Sequence, residues 1–429
     1  DIVAPTANGM TYVYSNLGGL RFRDVTAASG VDGHGVASGA TLCDLDGDGD
    51  LDLLLSTDAQ AVGGNLFFFR NQGNGVFADA TAATGLTTTG SVRSVLCADL
   101  DGDGLLDVYV ANYGFIGVAG IPGRADAFFR NRGDGTFVDL ASRLGFDTDG
   151  FTWTVAASDY DGDGDLDLYV ANDTFATDDG TRPAPPYDAG LGFTPPGDRL
   201  FRNDGPGADG YPVFTDVSAS AGAALTTPRS TMGVVAADFT GDGVPDYYVS
   251  NYGRKALLAG TGDGGFVDRT SAFGLEAIER HAGPDGLCGA GQTSAECLLV
   301  SWAGALEDFD LDGRRDLVLL DGDLHGGPQP QAVWRGMAPE AGTGTAFAPV
   351  QTDLPWAAAR ALVPADLDGD GDLDLVMTTW NGPVELFENV AAEHDGGAAA
   401  AWTSVTLQGS TSAPEGRGAV VTVNGVSKT

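Results

Sequence analysis

The 429-residue chain lacks the features that mark membrane-spanning, nucleic-acid-binding and long-helix proteins. It has no apolar run of about 18 residues, so no segment predicts a transmembrane helix. Basic side chains are few, 22 against 60 acidic ones, and the formal charge of −38 would repel nucleic acid and anionic lipid. With 65 glycines and 20 prolines, long helices are disfavoured. Apolar residues make up 43% of the chain, enough for a sizeable core, so the acidity does not indicate disorder. The acidic surface would attract cations.

Catalytic and redox motifs are also missing. The sequence has no G-x-S-x-G elbow, phosphate loop, H-E-x-x-H or C-x-x-C, and its four histidines, His34, His281, His325 and His394, are scattered. We therefore predict no catalytic residue. No apolar leader or twin-arginine start is present, so we expect either that a signal peptide was removed before Asp1 or that the chain was never exported.

Internal repetition is the strongest positive feature. Six acidic segments align, DLDGDGDLD, DLDGDGLLD, DYDGDGDLD, DFTGDGVPD, DFDLDGRRD and DLDGDGDLD, beginning at Asp44, Asp99, Asp159, Asp238, Asp308 and Asp366. An aromatic element such as LFFFRNQGNGVFADAT or AFFRNRGDGTFVDLA follows several of them. Each unit reads as four strands: one entering the loop, one leaving it, the LFRN strand, and a last strand after a glycine turn. About 60 residues per unit is typical of a propeller blade.

The predicted fold is therefore all-β, a β-propeller of four-stranded antiparallel blades. The segment from Tyr12 to Thr26 looks like the second half of a unit, and the C-terminal WTSVTLQG and GAVVTVNG supply extra strands. Strands from both termini would then close a composite blade. We favour seven blades, with six as the alternative, in a propeller over residues 1–400 followed by C-terminal strands over 401–429.

The acidic loops predict metal sites. Side-chain oxygens recur at positions 1, 3, 5 and 9, a backbone carbonyl is available at position 7, and glycine at position 6 permits the turn. Clustered carboxylates need a cation to stay ionised, and an all-oxygen set favours Ca²⁺. Position 12 is apolar in every loop, so these are not EF-hands. We expect about six structural Ca²⁺ ions, with weaker binding in the fourth loop, where Thr240 replaces an aspartate.

The predicted ligands, loop by loop, are Asp44, Asp46, Asp48, Asp50 and Asp52; Asp99, Asp101, Asp103, Leu105 and Asp107; Asp159, Asp161, Asp163, Asp165 and Asp167; Asp238, Thr240, Asp242, Val244 and Asp246; Asp308, Asp310, Asp312, Arg314 and Asp316; and Asp366, Asp368, Asp370, Asp372 and Asp374. The position 7 residues would bind through the backbone carbonyl, namely Asp50, Leu105, Asp165, Val244, Arg314 and Asp372.

The sequence resembles the FG-GAP/VCBS repeat propellers, which include integrin α-chain heads, and most closely the bacterial relatives of cartilage acidic protein. The resemblance rests on units such as MGVVAADFTGDGVPDYYVSN, from Met232 to Asn251, and covers roughly residues 12–390. PEGRGAVVTVNG, from Pro414, looks like the opening of the ASPIC/UnbV domain of that family. The resemblance implies an extracellular or surface-attached calcium-binding protein, often with an adhesive or recognition role, and no one ligand.

A ligand face is predicted opposite the loops. The residues six before each loop should ring the mouth of the central channel; they are Ser38, Arg93, Trp153, Met232, Trp302 and Arg360. From this ring and the far ends of the second strands, the predicted ligand-face residues are Arg93, Trp153, Trp302, Arg360, Asn112, Asn172 and Asn251. Stacking and charge-assisted hydrogen bonds there would suit a sugar, a peptide or an anionic group. The alternative is that these side chains only pack the channel. Two long connections, 113–126 and 173–198, also begin on this face.

Two cysteine pairs are candidate disulfides. Cys288 and Cys297 close a short glycine-rich loop and are the better candidate. Cys43 and Cys97 lie just before consecutive acidic loops, and an interblade disulfide between them is the second candidate. Either would fit an exported protein.

Three functions stay open at this stage. The first is a non-catalytic recognition or adhesion scaffold for a glycan or protein ligand, and the second is a structural subunit that self-assembles through Ca²⁺. The third is a polysaccharide lyase or hydrolase with Arg93 or Arg360 near His34. Loops of this kind should bind Ca²⁺ with a Kd on the order of 10⁻⁴–10⁻³ M, which favours the cell surface or the extracellular space.

Overall fold

The computed structural model of the chain describes most of its residues. The described ranges are 1–6, 9–31, 34, 36–57, 66–88, 90–113, 125–147, 150–174, 197–227, 229–275, 299–322, 328–340, 344–350, 354–380, 382–391, 421–423 and 426–428. The long connections 113–126 and 173–198 lie mostly outside these ranges, as do the pair Cys288 and Cys297 and the histidines His281, His325 and His394.

The fold is a seven-bladed β-propeller, which confirms the predicted class and the favoured blade number. The first three blades run along the chain in order, with all neighbouring strands antiparallel. Blade 1 contains β1 (Ile2–Pro5), β2 (Thr11–Asn16) and β3 (Phe22–Asp24). Blade 2 contains β4 (Ala37–Cys43), β5 (Asp52–Thr57), β6 (Leu66–Asn71) and β7 (Phe77–Asp79). Blade 3 contains β8 (Ser91–Ala98), β9 (Asp107–Tyr113), β10 (Ala127–Asn131) and β11 (Phe137–Asp139).

The remaining blades repeat the pattern. Blade 4 contains β12 (Thr152–Ser158), β13 (Asp167–Asn172), β14 (Arg199–Pro206) and β15 (Pro212–Asp216). Blade 5 contains β16 (Thr231–Ala237), β17 (Asp246–Asn251), β18 (Ala256–Gly260) and β19 (Phe266–Asp268). Blade 6 contains β20 (Ser301–Glu307), β21 (Asp316–Asp321), β22 (Ala332–Glu340) and β23 (Gly344–Val350). Blade 7 contains β24 (Ala359–Ala365), β25 (Asp374–Thr379) and β26 (Glu385–Phe387).

Blades 1 and 7 each have three described strands, and blade 1 begins at the second-strand position. In blades 2 to 6 the second strand contacts the inner strand of the next blade, and β1 contacts β4 in the same way. The C-terminal hairpin, β27 (Val421–Val423) with β28 (Val426–Lys428), pairs with no other described strand. Of the two C-terminal segments predicted to complete a composite blade, WTSVTLQG lies outside the described residues, and the described part of GAVVTVNG, Val421–Val423, pairs only with β28.

Short helices follow the outer strands, an element that the strand pattern did not predict. They are α1 (Thr26–Ser29), α2 (Thr81–Thr84), α3 (Ala141–Leu144) and α4 (Ala223–Thr226). Before three of these helices an aspartate accepts the N–H of the residue two positions later. The Thr81 N–H, for example, donates to Asp79 Oδ1 at 2.9 Å. No helix among the described residues is both long and apolar enough to cross a membrane.

The core is divided among the interfaces between blades. Six apolar clusters lie between successive blades, from blades 1 and 2 to blades 6 and 7. The second strand of blades 2 to 6 is buried along its whole length because a neighbouring blade covers each face. A disulfide between Cys43 and Cys97 joins the inner strands of blades 2 and 3. It is the second of the two candidate disulfides predicted from the sequence.

In blades 1, 3, 4 and 7 the asparagine of the LFRN element donates a hydrogen bond to a neighbouring blade. Asn131 Nδ2 donates to Leu45 O of the preceding blade at 3.0 Å and to Leu106 O of its own at 3.1 Å. Asn203 and Asn389 make the same interblade bond, to Leu100 O and Phe309 O. Asn16 Nδ2 of blade 1 donates to Leu367 O of blade 7 at 2.7 Å, so this bond also joins the first and last blades.

Candidate functional site

The aspartate at position 9 anchors every acidic loop. In the second loop, Asp107 Oδ2 accepts the Leu100 N–H at 3.2 Å and Oδ1 accepts the Asn131 N–H of the third strand at 2.9 Å. The equivalent pair of bonds is made by the ninth residue of the other five loops, namely Asp52, Asp167, Asp246, Asp316 and Asp374. All six are at most 4% exposed. This residue therefore connects the loop to two strands, a role that the sequence did not reveal.

The aspartate at position 1 shapes the loop from within. Asp44 Oδ1 accepts the N–H groups of Gly47 and Asp48 at 2.9 and 3.1 Å, and Oδ2 accepts that of Gly49 at 3.0 Å. Gly49 has a φ of 93°, which a residue with a Cβ adopts only with strain. The repeated glycine thus lets the backbone wrap around a carboxylate.

Carboxylates converge in five of the six loops. One ligand atom from each member of a triad lies within 4.8 Å of the others in Asp44, Asp46 and Asp48; Asp99, Asp101 and Asp107; Asp159, Asp161 and Asp167; Asp308, Asp310 and Asp316; and Asp366, Asp368 and Asp370. Within the described part of the chain the fourth loop forms no such triad. There Thr240 stands at position 3, and its N–H donates to Asp246 Oδ2 at 2.8 Å.

The pKa values of the ninth-position carboxyls are raised by their burial and by the neighbouring carboxylates. Burial, opposed by the backbone N–H bonds and reinforced by nearby loop carboxylates, raises the pKa of Asp52 and Asp316 to about 6 and that of Asp167 and Asp246 to about 7. The pKa of Asp107 is raised well above its ordinary value for the same reasons. A divalent cation would remove the cost of holding these groups ionised together.

The residues present fit a hard divalent cation. The five triads offer only oxygen atoms, and Asp308 Oδ1 is buried without a hydrogen-bond partner among the described residues. Ca²⁺ binds such sets with six to eight oxygens, and carbonyls and water commonly complete them. The remaining assigned ligands, including the position 7 carbonyls, stay predictions.

Arginines from the LFRN strand reach into three of the loops. Arg70 Nε lies 2.8 Å from Asp46 Oδ2, and Arg335 Nε lies 2.6 Å from Asp310 Oδ2. Arg130 pairs with Asp101, and with Asp103 at 2.9 Å. The predicted ligand set did not include these arginines. The arginine that recurs in the LFRN element was the sequence feature that could have predicted them.

The six predicted mouth residues share one backbone feature. Each inner strand breaks its register with the second strand at the residue six before the loop, between Ala37 and Gly39 in blade 2 for example. The residues at these β-bulges are the predicted ring: Ser38, Arg93, Trp153, Met232, Trp302 and Arg360. A bulge turns a side chain out of the regular alternation. The bulges therefore set the direction of the six side chains at the end of each inner strand.

Four of the bulge residues form a stack across the channel. Trp153 of blade 4 and Trp302 of blade 6 have ring centroids 5.3 Å apart. The Arg93 guanidinium lies 4.9 Å from the Trp153 centroid, and that of Arg360 lies 4.3 Å from the Trp302 centroid. The structure therefore brings Arg93, Trp153, Trp302 and Arg360 together, and all four are partly exposed.

The three asparagines assigned to the ligand face need correction. Asn112, Asn172 and Asn251 are at most 2% exposed. The hydroxyl of Thr231 donates to Asn251 Oδ1 at 3.1 Å, and Asn251 Nδ2 donates to Arg254 O at 2.7 Å. Asn172 and Asn251 accept a hydrogen bond from a threonine of the inner strand, and all three asparagines donate to a carbonyl of the connection that follows, so they do not present a surface to a ligand.

His34 does not sit in a catalytic arrangement with the mouth arginines. Its ring packs edge-on against Phe67 and Phe69, with centroids 4.7 Å from each. These neighbours are apolar, and neither carries an acid or base.

Comparison with known proteins assigns the repeats. A family model described as FG-GAP-like repeat matches residues 44–110, 116–170 and 308–377. The chain carries FG-GAP-like repeats. The matched segments contain five of the six acidic loops and leave out the fourth, the loop for which no carboxylate triad is found among the described residues.

Among curated proteins, this FG-GAP-repeat chain is homologous to cartilage acidic protein 1. It is 27% identical to the mouse protein over 368 residues, and 26% identical to the human protein over 368 residues. Each alignment covers 71% of this chain, which spans about half the length of these relatives. Among solved structures, a lectin from Agrocybe aegerita that recognises non-reducing terminal N-acetylglucosamine has a TM-score of 0.43 and 19% identity, covering 82% of this chain and 78% of the lectin.

Proposed function

We propose that this chain is a calcium-stabilised, non-catalytic recognition or adhesion scaffold of the cell surface or extracellular space. Its acidic loops would hold Ca²⁺ on one face, and the opposite face would bind a glycan or protein ligand. The observation that carries the proposal is the set of five carboxylate triads, each on a loop anchored by a buried ninth-position aspartate.

The role of calcium follows from where the loops are attached. The ninth-position aspartate accepts an N–H of the third strand, and in three blades the residue that donates it also bonds to the preceding blade, as Asn131 does to Leu45. Bound Ca²⁺ would neutralise the clustered carboxylates, while Asp107 and its equivalents hold the strands in place. The loops would therefore stabilise the ring, and the ring would hold the mouth residues in position.

An extracellular setting is supported by two independent features. Loops of this composition should bind Ca²⁺ with a Kd on the order of 10⁻⁴–10⁻³ M, so they would fill outside the cell and stay empty in resting cytosol. The Cys43–Cys97 disulfide is also typical of an oxidising compartment.

Calcium titration tests this proposal directly. The melting temperature of chelator-stripped protein should rise steeply and saturably as Ca²⁺ is added, while Mg²⁺ at the same concentration has a smaller effect. A site with a Kd of about 1 mM adds roughly 1.4 kcal/mol at 10 mM Ca²⁺, and several sites add together. An unchanged melting temperature would refute the metal assignment. Calcium-dependent growth in particle size by light scattering would instead favour a structural, self-assembling subunit.

The fourth loop provides an internal test. The substitution T240D would restore the missing carboxylate between Asp238 and Asp246, and should add one bound ion by equilibrium dialysis. We expect roughly 1 kcal/mol more stabilisation by 10 mM Ca²⁺ than in the unsubstituted protein. T261D, in an exposed turn of the same blade, is the matched control. An equal calcium response in both variants would contradict the assignment of position 3 as a ligand.

A further inference from the structure

A continuous row of aromatic and arginine side chains crosses the mouth of the channel. It consists of Tyr113, Arg93, Trp153, Trp302, Arg360 and Trp380, and is called here the mouth row. Arg93 lies 5.1 Å from the Tyr113 centroid and 4.9 Å from that of Trp153. Arg360 lies 4.3 Å from the Trp302 centroid and 5.1 Å from that of Trp380. Each guanidinium therefore stands between two aromatic rings.

The mouth row is held in place by the backbone and by hydrogen bonds. Four of its members occupy β-bulges, whose register sets the direction of the side chain. The Trp302 indole donates to Gly322 O, Arg360 Nη1 donates to Ala359 O at 2.7 Å, and the Tyr113 hydroxyl donates to Asp173 Oδ2 at 2.8 Å. Such preorganisation lowers the ordering cost of binding.

The two arginines of the row add guanidinium groups to its aromatic surface. Arg93 and Arg360 lie over aromatic faces, and both side chains are partly exposed. The mouth row thus combines guanidinium groups and aromatic rings within one site. The formal charge of the whole chain is −38. The long-range repulsion of anions by the rest of the chain is screened beyond about 8 Å at physiological ionic strength.

We propose that the mouth row binds a sugar ring that carries a carboxylate, the chemistry of a uronic acid unit in an acidic glycan. This inference rests on the proposed recognition function and names its ligand class. The negative face of an indole attracts the polarised C–H groups of a pyranose, and Trp380, 44% exposed, presents such a surface. The planar guanidinium fork matches a carboxylate in a way that a neutral sugar does not use. An acidic peptide would use the arginines but has no rigid ring to cover the tryptophans.

The test compares two sugars that differ only in the carboxylate. Methyl β-D-glucuronoside and methyl β-D-glucoside are titrated into the 429-residue chain at 10 mM Ca²⁺, with tryptophan fluorescence and ligand-observed NMR as readouts. We expect about tenfold tighter binding of the glucuronoside, because a charge-assisted pair contributes about 1.4 kcal/mol or more. R93Q and R360Q should each remove that preference, and W380A should weaken both sugars. R132Q, an exposed arginine next to the loop-side turn, is the control and should bind as the unsubstituted protein does.

The outcomes separate this inference from the proposed function. Equal binding of both sugars, or retention of the preference in R93Q and R360Q, would overturn the carboxylate assignment. An acidic tetrapeptide that binds more tightly than the glucuronoside and competes with it would overturn the sugar assignment. In each case a calcium-dependent melting curve would leave the scaffold proposal standing. Loss of binding in R360Q counts for the inference only if its melting temperature in calcium matches that of R132Q. R360K keeps the positive charge but not the planar guanidinium, and it should then bind at an intermediate level.

Discussion

The loop face and the mouth of the channel are two ends of the same strands, yet they use the repeat in different ways. At the loop end, six units place an aspartate at positions 1 and 9 and glycine at position 6. At the mouth end, the six bulge positions carry serine, arginine, tryptophan and methionine, and adjacent blades differ. The backbone geometry is repeated at both ends, whereas the side chains at the bulge positions differ from blade to blade.

This difference has a physical reason. A loop that wraps a carboxylate and holds a cation needs the same oxygen atoms in the same places in every blade, so variation there costs stability. A ligand contacts several blades at once and is not itself seven-fold symmetric, so the residues that touch it gain from being different. The repeated end is therefore expected to support the fold, and the varied end to provide recognition.

A second comparison, among the blades, follows the LFRN asparagine. Blades 1, 3, 4 and 7 use it to bond a neighbouring blade, whereas blades 5 and 6 have Gly260 and Gly336 at that position. A Cβ at Gly336 would lie 2.3 Å from Arg315 O, and one at Gly260 would lie 2.6 Å from Pro245 O. In these two blades the third strand lies too close to the backbone of its own acidic loop for an asparagine side chain to fit.

The largest effect should come from the ninth-position aspartate. D107N leaves the side chain the same size but turns an amide NH₂ toward the N–H of either Leu100 or Asn131, in a site with 0% exposure. We expect a loss of about 3 kcal/mol in the free energy of unfolding, measured by urea titration in calcium. D147N, at an exposed position, is the control. A cost below about 1 kcal/mol would contradict the anchoring role.

The interblade asparagine should come next. N131A removes bonds to Leu45 O and Leu106 O and should cost about 2 kcal/mol. N389A removes the bond to Phe309 O and should cost about half as much by the same urea measurement. G336N should destabilise rather than add a bond, because of the close Arg315 carbonyl. A gain in stability from G336N would overturn the packing explanation.

A pH effect should arise from a buried acid near the mouth. Burial raises the pKa of Asp126 to about 7, although the Asn112 N–H, the Tyr109 and Thr152 hydroxyls and the charge of Arg199 all lower it. A folded-state pKa above the unfolded value means that the folded protein binds more protons. Stability should therefore fall as pH rises from 5 to 7, by about 2 kcal/mol for this one group in calcium-saturated protein.

The control for this effect is D126N, whose side chain does not titrate. Its free energy of unfolding should vary less between pH 5 and 7 than that of the unsubstituted protein. If both proteins show the same slope, another group is responsible for the pH dependence.

The smallest effect should come from the mouth itself. R360Q removes a guanidinium stacked between Trp302 and Trp380, and cation–π contacts at partly exposed sites contribute about 0.5–1 kcal/mol. The variant should lose less than that in urea titration while losing sugar selectivity. A cost equal to that of D107N would instead mean that the mouth row packs the channel and that the faces do not differ as proposed.

Several elements were predictable because they depend on local spacing. The acidic loops, their flanking strands and the seven-blade count follow from letters that recur along the chain, from Asp44 to Asp374. The convergence of Arg93, Trp153, Trp302 and Arg360 also followed from counting back from each loop. The burial of Asn112, Asn172 and Asn251 did not, because the side chain at a strand end can turn either to solvent or toward a neighbouring strand, and only the packed structure selects between them.

The sequence by itself determined the repeat, the strand order and the residue types at each loop, because these depend on period and on backbone preferences that act over a few residues. Only the tertiary structure decided which residues meet across blades: the Cys43–Cys97 disulfide, the bond from Asn16 to Leu367 and the contact between Trp153 and Trp302. These pairs lie far apart in the chain, and their distances depend on how blades close into a ring. Closure is a property of all the blade interfaces together, so no single segment encodes it.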